Sequence, residues 1–210
     1  LLLALALLLC CARPALAQEP APADWESQVE EPLRILQLRV QVLPEYDDAR
    51  VLVIGQGRLA GGPADGLRQV SFWVPQGAQV NLISGMTSAE AELVSQPFTL
   101  QADAQRPGWA LLTSEFDSAH FFYEYYYDGL ESDPADASRK GVAFTFTSPL
   151  PVERLSLEIL QPRGASDFTS DPPATATRQD ARSGFSYHQV ESGHLAAGQE
   201  LALQVHYTKA

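Results

Sequence analysis

Residues 120–128 read His-Phe-Phe-Tyr-Glu-Tyr-Tyr-Tyr-Asp, a run with an aromatic residue at every second position from Phe121 to Tyr127. The positions between them are mixed, including Phe122, Glu124 and Tyr126. A period of two is typical of a β-strand with one face in a core. Each aromatic ring buries on the order of 150–250 Å² in such a position. We therefore expect the odd-numbered face of this strand to lie in the interior.

The same alternation recurs on both sides of this strand. Leu36, Leu38, Val40 and Val42 alternate with polar residues, and similar patterns cover residues 70–74, 79–83, 98–102, 109–113, 142–146, 155–159 and 201–207. Residues 50–54 contain a second, continuously apolar run. Residues 55–57 (Gly-Gln-Gly) predict the end of the second strand. Many short strands with one apolar face each are buried by packing sheet on sheet. The pattern predicts an all-β fold, a single antiparallel β-sandwich of roughly nine strands.

Two other all-β arrangements fit the same pattern. A β-barrel is the first alternative, and two successive small sandwiches divided near residues 128–139 are the second. Helical signals are confined to residues 88–94, where Ser88 could cap a short helix. Residues 163–184 are rich in Ser, Thr, Asp and Pro and predict a long loop.

The first residues predict export. Residues 1–9 are apolar throughout, and Ala15-Leu16-Ala17 forms an A-x-A pattern, so residues 1–17 resemble a cleaved signal peptide. The apolar run is shorter than the roughly 20 residues of a membrane-spanning helix. Residues 18–32 begin as a Pro/Ala-rich tether, and residues 33–210 form the expected domain. Both cysteines, Cys10 and Cys11, lie in the signal segment, so the domain has no disulfide.

Charge narrows the choice of partner. The chain carries 14 basic and 26 acidic residues, a formal net charge of −12. An acidic chain is repelled by phosphate backbones and anionic lipid surfaces. We therefore expect no nucleic-acid partner.

Exposed aromatic residues are the first candidates for a binding site. Planar side chains on the less apolar strand faces could stack on a sugar or another small ligand. The candidate ligand-binding residues are Trp73, Trp109, Phe122 and Tyr126. This interpretation predicts that the tryptophans or Tyr126 lie exposed on one face or at a loop rim.

An acidic loop offers a candidate calcium site. Asp128, Glu131, Asp133 and Asp136 lie in one segment that contains a proline, and calcium prefers several oxygen ligands on a flexible loop. Their spacing differs from that of the EF-hand loop. The alternative is an acidic loop that is simply solvated, and we expect no cofactor.

No catalytic residue is predicted. The expected domain has no thiol and no G-x-S-x-G motif, and the sequence contains no phosphate-binding glycine loop. A hydrolase would need a cleft that joins a histidine to a carboxylate or a serine. We keep this class as an alternative without assigned residues.

Three segments resemble a family of uncharacterised bacterial exported proteins. They are Leu43-Pro44-Glu45-Tyr46-Asp47, the tyrosine-rich strand at 123–127, and Gln161-Pro162-Arg163-Gly164-Ala165. The resemblance implies a β-rich ectodomain that follows a signal peptide, with a membrane anchor beyond Ala210. At the level of fold, the alternation also resembles immunoglobulin-like and carboxypeptidase-regulatory-like sandwich modules. A shared fold does not by itself indicate a function.

These observations favour a non-catalytic extracytoplasmic domain in the periplasm or at the cell surface. Tethering of this domain to the membrane is an open alternative. We expect it to bind or scaffold a protein partner at the envelope. A carbohydrate- or small-ligand-binding module is the alternative. The sequence indicates no oligomeric state.

Overall fold

The computed structural model describes residues 31–63, 66–86 and 93–209. These ranges contain fifteen β-strands and no helix. The signal segment, nearly all of the tether and most of the short helix predicted at residues 88–94 lie outside them. No helix in these ranges is long and apolar enough to cross a membrane.

The strands form three sheets. In chain order they are β1 (Arg34–Pro44), β2 (Val51–Ala60), β3 (Arg68–Pro75), β4 (Gln79–Met86), β5 (Val94–Ser95), β6 (Phe98–Ala102), β7 (Trp109–Phe116), β8 (His120–Tyr127), β9 (Leu130–Asp133), β10 (Asp136–Thr147), β11 (Val152–Gln161), β12 (Ser166–Asp171), β13 (Ala176–Gln179), β14 (Ser186–Leu195) and β15 (Glu200–Thr208). The large sheet has the order β13-β14-β11-β1-β2-β8-β4-β5, and the two smaller sheets have the orders β12-β15-β10-β9 and β3-β7-β6. Strands β1 and β11 pair in parallel, and the other pairs are antiparallel.

Both small sheets pack on one face of the large sheet, which we call its inner face. The ring of Phe72, on β3, lies 4.6 Å from that of Tyr123, and the ring of Phe144, on β10, lies 6.3 Å from that of Tyr127. One continuous apolar core joins all three sheets. None of the described sheets closes on itself. The prediction of an all-β sandwich is therefore confirmed, and the barrel is not formed.

The aromatic strand lies at the centre of this core, as predicted. Phe121, Tyr123, Tyr125 and Tyr127, all on β8, are buried, with at most 9% of their surface exposed. The predicted end of the second strand at residues 55–57 is wrong, because β2 continues to Ala60. Its two glycines lie opposite Tyr123 and Phe121 in the register, and the rings occupy the space that side chains there would fill.

The predicted loop at residues 163–184 is also wrong in part, because it contains β12 and β13. Both are edge strands of their sheets, and most of their residues are exposed. An exposed edge strand needs no apolar face, so period-two hydrophobicity does not reveal it. The four short edge strands β5, β9, β12 and β13, together with the ten-residue β14 between β13 and β11, account for most of the rise from the expected nine or so to fifteen.

Candidate functional site

Two edge strands meet where the chain passes from the large sheet to a small one. Strand β5 ends at Ser95 and β6 begins at Phe98, so Gln96 and Pro97 make the crossing. The Gln96 N–H donates to the Ile83 carbonyl at 2.9 Å, which ties the crossing to the large sheet. The hydroxyl of Ser114, on β7, donates to the Pro97 carbonyl at 2.8 Å, which ties it to the small sheet. The corner is therefore held in place from both sides.

This corner concentrates exposed apolar side chains. Six large hydrophobic residues of the described chain are exposed, and five of them lie in or beside β5 and β6 or in the groove next to them. They are Leu67 (58%), Leu93 (39%), Val94 (64%), Phe98 (42%) and Leu100 (39%). We call these five residues the β5–β6 edge. A monomeric soluble domain rarely gathers its exposed apolar residues in this way, and such patches mark interaction sites.

The apolar side chains of β6 lie beside buried residues of the neighbouring strand β7. Phe98 pairs with Ser114 and Leu100 with Leu112, and both partners on β7 are buried. Because paired residues of neighbouring strands point to the same side of a sheet, Phe98 and Leu100 lie on the side of the three-stranded sheet that faces the large sheet. They stay exposed because no described element of the large sheet covers them. The edge strand thus extends past the core that its sheet helps to form.

The backbone of β6 is also unprotected. Natural edge strands are shielded by charged residues, proline or bulges. Residues 98–102 read Phe-Thr-Leu-Gln-Ala, with no charge and no proline, and they pair with β7 without a register shift. Another strand could therefore pair with this edge through its backbone.

A groove runs beside the β5–β6 edge. It has a volume of about 430 Å³, and Leu67, Pro97 and Phe98 supply its apolar part, whereas Gln69 and Thr113 are polar. Gln96 also lines it, and its Oε1 is buried without a hydrogen-bond partner in the described residues. A buried unpaired carbonyl costs about 1–3 kcal/mol, and this cost stands because the oxygen is closed to solvent.

The structure brings two of the predicted ligand-binding residues together. Trp73 on β3 and Trp109 on β7 lie on neighbouring strands of the three-stranded sheet. The Arg106 guanidinium lies 4.3 Å from the centroid of the Trp73 ring and 5.4 Å from that of the Trp109 ring. The Trp73 Nε1 donates to Asp103 Oδ2 at 3.0 Å, and Arg106 forms an ion pair with Glu200. Both rings are half-buried and stack on Arg106, so the predicted stacking platform holds a side chain of the chain itself.

Replacing Arg106 tests the role of this stack. We expect Arg106→Ala to lower the free energy of unfolding by about 1 kcal/mol, the scale of a partly desolvated cation–π contact, and to change the tryptophan emission spectrum. Urea titration followed by fluorescence measures both. Arg106→Lys is the matched control, because it keeps the charge but loses the planar stacking surface. An unchanged emission spectrum in Arg106→Ala would contradict the stack.

The other two predicted ligand-binding residues lie elsewhere. Phe122 and Tyr126 are half-buried on β8, on the outer face of the large sheet. The Tyr126 hydroxyl donates to the Asp47 carboxylate at 2.9 Å, and the Arg50 guanidinium lies 4.8 Å from its ring centroid. Burial, together with Asp47, raises the pKa of Tyr126 to about 12. The four aromatic candidates are therefore on two different sheets and do not form one site.

The residues predicted to bind calcium do not converge. No group of three or more His, Cys, Asp or Glu residues in the described ranges could hold a metal ion. Asp133 accepts the Ala135 N–H at 2.8 Å, and Asp136 accepts the Ser138 N–H at 3.1 Å, so each carboxylate caps its own turn. Asp128 is exposed at the end of β8, and Glu131 lies on β9.

One cleft places a histidine beside carboxylates. Its volume is about 590 Å³, on the four-stranded sheet, and it is lined by Glu131, Asp133, Asp167 and His206 among others. Gly141 leaves room between Glu131 and His206, its neighbours in the register. No hydrogen bond joins the His206 ring to a carboxylate or a hydroxyl within the described residues. The cleft thus lacks the nucleophile–base contact that a hydrolase uses.

Comparison with known proteins identifies a fold. No protein-family model matches the chain, and no curated protein matches it. A solved structure of native yeast LTA4 hydrolase is similar, with a TM-score of 0.52 and 8% identity over 84% of this chain and 29% of that one. A structure of native leukotriene A4 hydrolase from Saccharomyces cerevisiae has a TM-score of 0.48 and 8% identity over 92% of this chain and 32% of that one. The chain thus spans about a third of those proteins, and the likeness shows the fold alone.

Proposed function

We propose that the chain is a non-catalytic, extracytoplasmic β-sandwich domain that binds a protein partner at the cell envelope through the β5–β6 edge. The observation that carries this proposal is that five of the six exposed large hydrophobic residues in the described part of the chain lie at this edge. Export rests on the signal-like residues 1–17. The partner would supply an extended segment with alternating apolar residues.

Backbone pairing and apolar burial would act together at this edge. A partner strand would satisfy the free backbone groups of β6, while its side chains cover Phe98 and Leu100. Covering the exposed half of such a side chain contributes about 1 kcal/mol. Several such contacts together reach the range of a specific, reversible complex.

Site-specific photo-crosslinking tests the proposal in cells that naturally produce the chain. A photoreactive amino acid at Leu100 is expected to give one defined protein adduct, whereas the same group at Gln204, exposed on the four-stranded sheet, gives none. Detection of the adduct outside the cytoplasm tests the location at the same time. Equal labelling at both positions would remove the assignment of this edge.

A charged residue in the β5–β6 edge should lower the yield of the crosslinked adduct. We expect Phe98→Asp to lower the crosslinking yield at position 100 about tenfold, because a carboxylate buried in an apolar contact is left unpaired. The fold should tolerate it, since Phe98 is 42% exposed and surface changes typically alter stability little. Gln101→Asp is the matched control, because Gln101 is exposed on the opposite side of β6 and does not line the groove. An undiminished yield in Phe98→Asp contradicts the proposal.

A further inference from the structure

A polar groove crosses the outer face of the large sheet and shares no lining residue with the groove beside the β5–β6 edge. Its volume is about 450 Å³, and its lining residues are Gln37, Arg39, Gln56, Gly57, Arg58 and His120. Arg58 alternates along β2 with Gly57 and Leu59, which are buried, so its side chain points outward. Its register partners are Gln37 on β1 and His120 on β8. Three polar side chains from three neighbouring strands therefore form one row.

The groove contains hydrogen-bond donors that the described chain does not use. The Arg58 guanidinium is exposed and makes no hydrogen bond or ion pair with described residues. The His120 ring is half-buried and makes none with them either. Arg39 binds Glu158 through Nη2 at 2.6 Å, while its Nε is buried without a partner in the described residues. An unpaired buried donor is costly. A ligand would reach this Nε only after the Arg39 side chain, which is 40% exposed, changes its position.

The charge of the groove differs from that of the whole chain. Its lining holds two arginines and a histidine but no carboxylate, in a chain with a net charge of −12. The nearby acid, Glu158, already accepts hydrogen bonds from Arg39, Gln41 and Arg178. Glu158 therefore neutralises part of Arg39 and leaves Arg58 without a counter-charge.

We propose that this groove binds a small ligand through an oxyanion, a carboxylate or a phosphate group. Guanidinium groups bind oxyanions with two parallel N–H···O bonds, which are stronger than hydrogen bonds between neutral groups. Arg58 supplies the free guanidinium, and the His120 ring supplies a further contact. The volume lies in the range of small-molecule sites, which favours an organic anion larger than an inorganic ion. This site is independent of the proposed protein-binding edge.

Anion titration of the isotope-labelled full chain tests the proposal. Inorganic phosphate and citrate serve as separate probes, followed by NMR at low ionic strength, where screening is weak. We expect saturable shifts centred on the Arg58 side chain, the His120 ring and neighbouring amides of β1, β2 and β8. Saturation by phosphate, by citrate or by both supports the site, and the tighter probe identifies the preferred oxyanion. Shifts from neither probe, or shifts spread evenly over the surface, overturn it.

A matched pair of variants separates this groove from general charge effects. We expect Arg58→Gln to weaken anion binding about tenfold, the effect of losing charge-assisted hydrogen bonds. Arg182→Gln removes the same charge from an exposed arginine in the turn after β13 and should leave the affinity unchanged. Arg58 is exposed and unpaired, so its variant should keep the fold, which thermal unfolding verifies. Equal affinities of the two variants contradict the proposal.

Discussion

Gly55→Ala is expected to lower the free energy of unfolding by about 2 kcal/mol, although it adds only a methyl group to a strand. A Cβ at this position would lie 2.1 Å from Cζ of Tyr123 and 2.3 Å from its Cε1. The ring cannot move aside easily, because Tyr123 is 3% exposed and its centroid lies 4.6 Å from that of Phe72 and 6.3 Å from that of Tyr125. In an exposed strand the same change would be mildly stabilising.

A double-mutant cycle isolates the contact. Tyr123→Ala alone should cost about 3–5 kcal/mol through the cavity it leaves. In that background Gly55→Ala should cost less than about 0.5 kcal/mol, because the colliding ring is gone. Equilibrium urea unfolding of the four proteins measures the coupling. Gly141→Ala, on the side of β10 opposite the core, is the control and should cost less, because the new Cβ would lie 3.1 Å from the His206 ring and 3.2 Å from the Val205 carbonyl oxygen. Additive costs would contradict the contact.

Glu45→Gln is expected to have the second large effect: it should lower the free energy of unfolding by about 2 kcal/mol. Glu45 lies in the turn between β1 and β2, and its carboxylate accepts from Lys140 Nζ at 2.6 Å, from the Tyr207 hydroxyl at 2.9 Å and from Lys209 Nζ at 3.3 Å. These partners belong to the four-stranded sheet or follow it directly, so one carboxylate ties it to the large sheet. The variant keeps the volume of the side chain but leaves two partly buried ammonium groups without their counter-charge.

The backbone at Glu45 supports this structural role. Its φ of 48° lies in the left-handed region, which a residue with a side chain adopts at a cost. Such a conformation persists where the surrounding contacts fix it. Three side-chain partners and the hydrogen bond from the Glu45 N–H to the Arg50 carbonyl at 3.1 Å provide those contacts.

The Glu45 contribution should depend on pH. Burial acts to raise the pKa of Glu45, but the hydrogen bonds from Lys140, Tyr207 and Lys209 outweigh it and the pKa is lowered. A carboxyl whose pKa is lower in the folded state stabilises the fold above its unfolded-state pKa, and this stabilisation is lost as pH falls through the folded-state pKa. The difference in unfolding free energy between the native chain and Glu45→Gln should therefore be full at pH 7 and shrink in acid.

Urea unfolding at pH 7 and in acid checks this dependence. Glu153→Gln is the control, because Glu153 is 49% exposed in its ion pair with Arg34 and should contribute at most about 1 kcal/mol. A difference between the native chain and Glu45→Gln that stays constant with pH would show that the carboxylate charge is not responsible.

Some residues could be placed from the sequence because their signal is local. The aromatic positions of β8 alternate without interruption, and burial follows that alternation from Phe121 to Tyr127. On β1 the alternation holds from Leu38 to Val42, but a register shift between Ile35 and Gln37 makes Ile35 the buried residue instead of Leu36. A bulge is an insertion in strand pairing, so the hydrophobic pattern of one strand does not reveal it.

The candidate interaction surfaces could not be placed in this way. Phe98 and Leu100 alternate with polar residues as a buried strand does, and the sequence contains no sign that they are exposed. Their exposure follows from the position of β6 at the end of its sheet. Arg58 and His120 are far apart in sequence and adjacent only because β2 pairs with β8. Trp73 and Trp109 were predicted only as two of four candidate ligand-binding residues, and the sequence did not indicate that both would stack on Arg106.

The sequence by itself determined the all-β class and the burial of the aromatic face of β8, because strand formation and side-chain alternation depend on neighbouring residues. Only the tertiary structure decided which apolar faces are covered, which glycines accommodate a ring, and which polar residues share a groove. These properties depend on the order and offset of the sheets, which are set by contacts between residues distant in the chain. For this reason the aromatic strand was predictable, whereas the β5–β6 edge and the arginine groove were not.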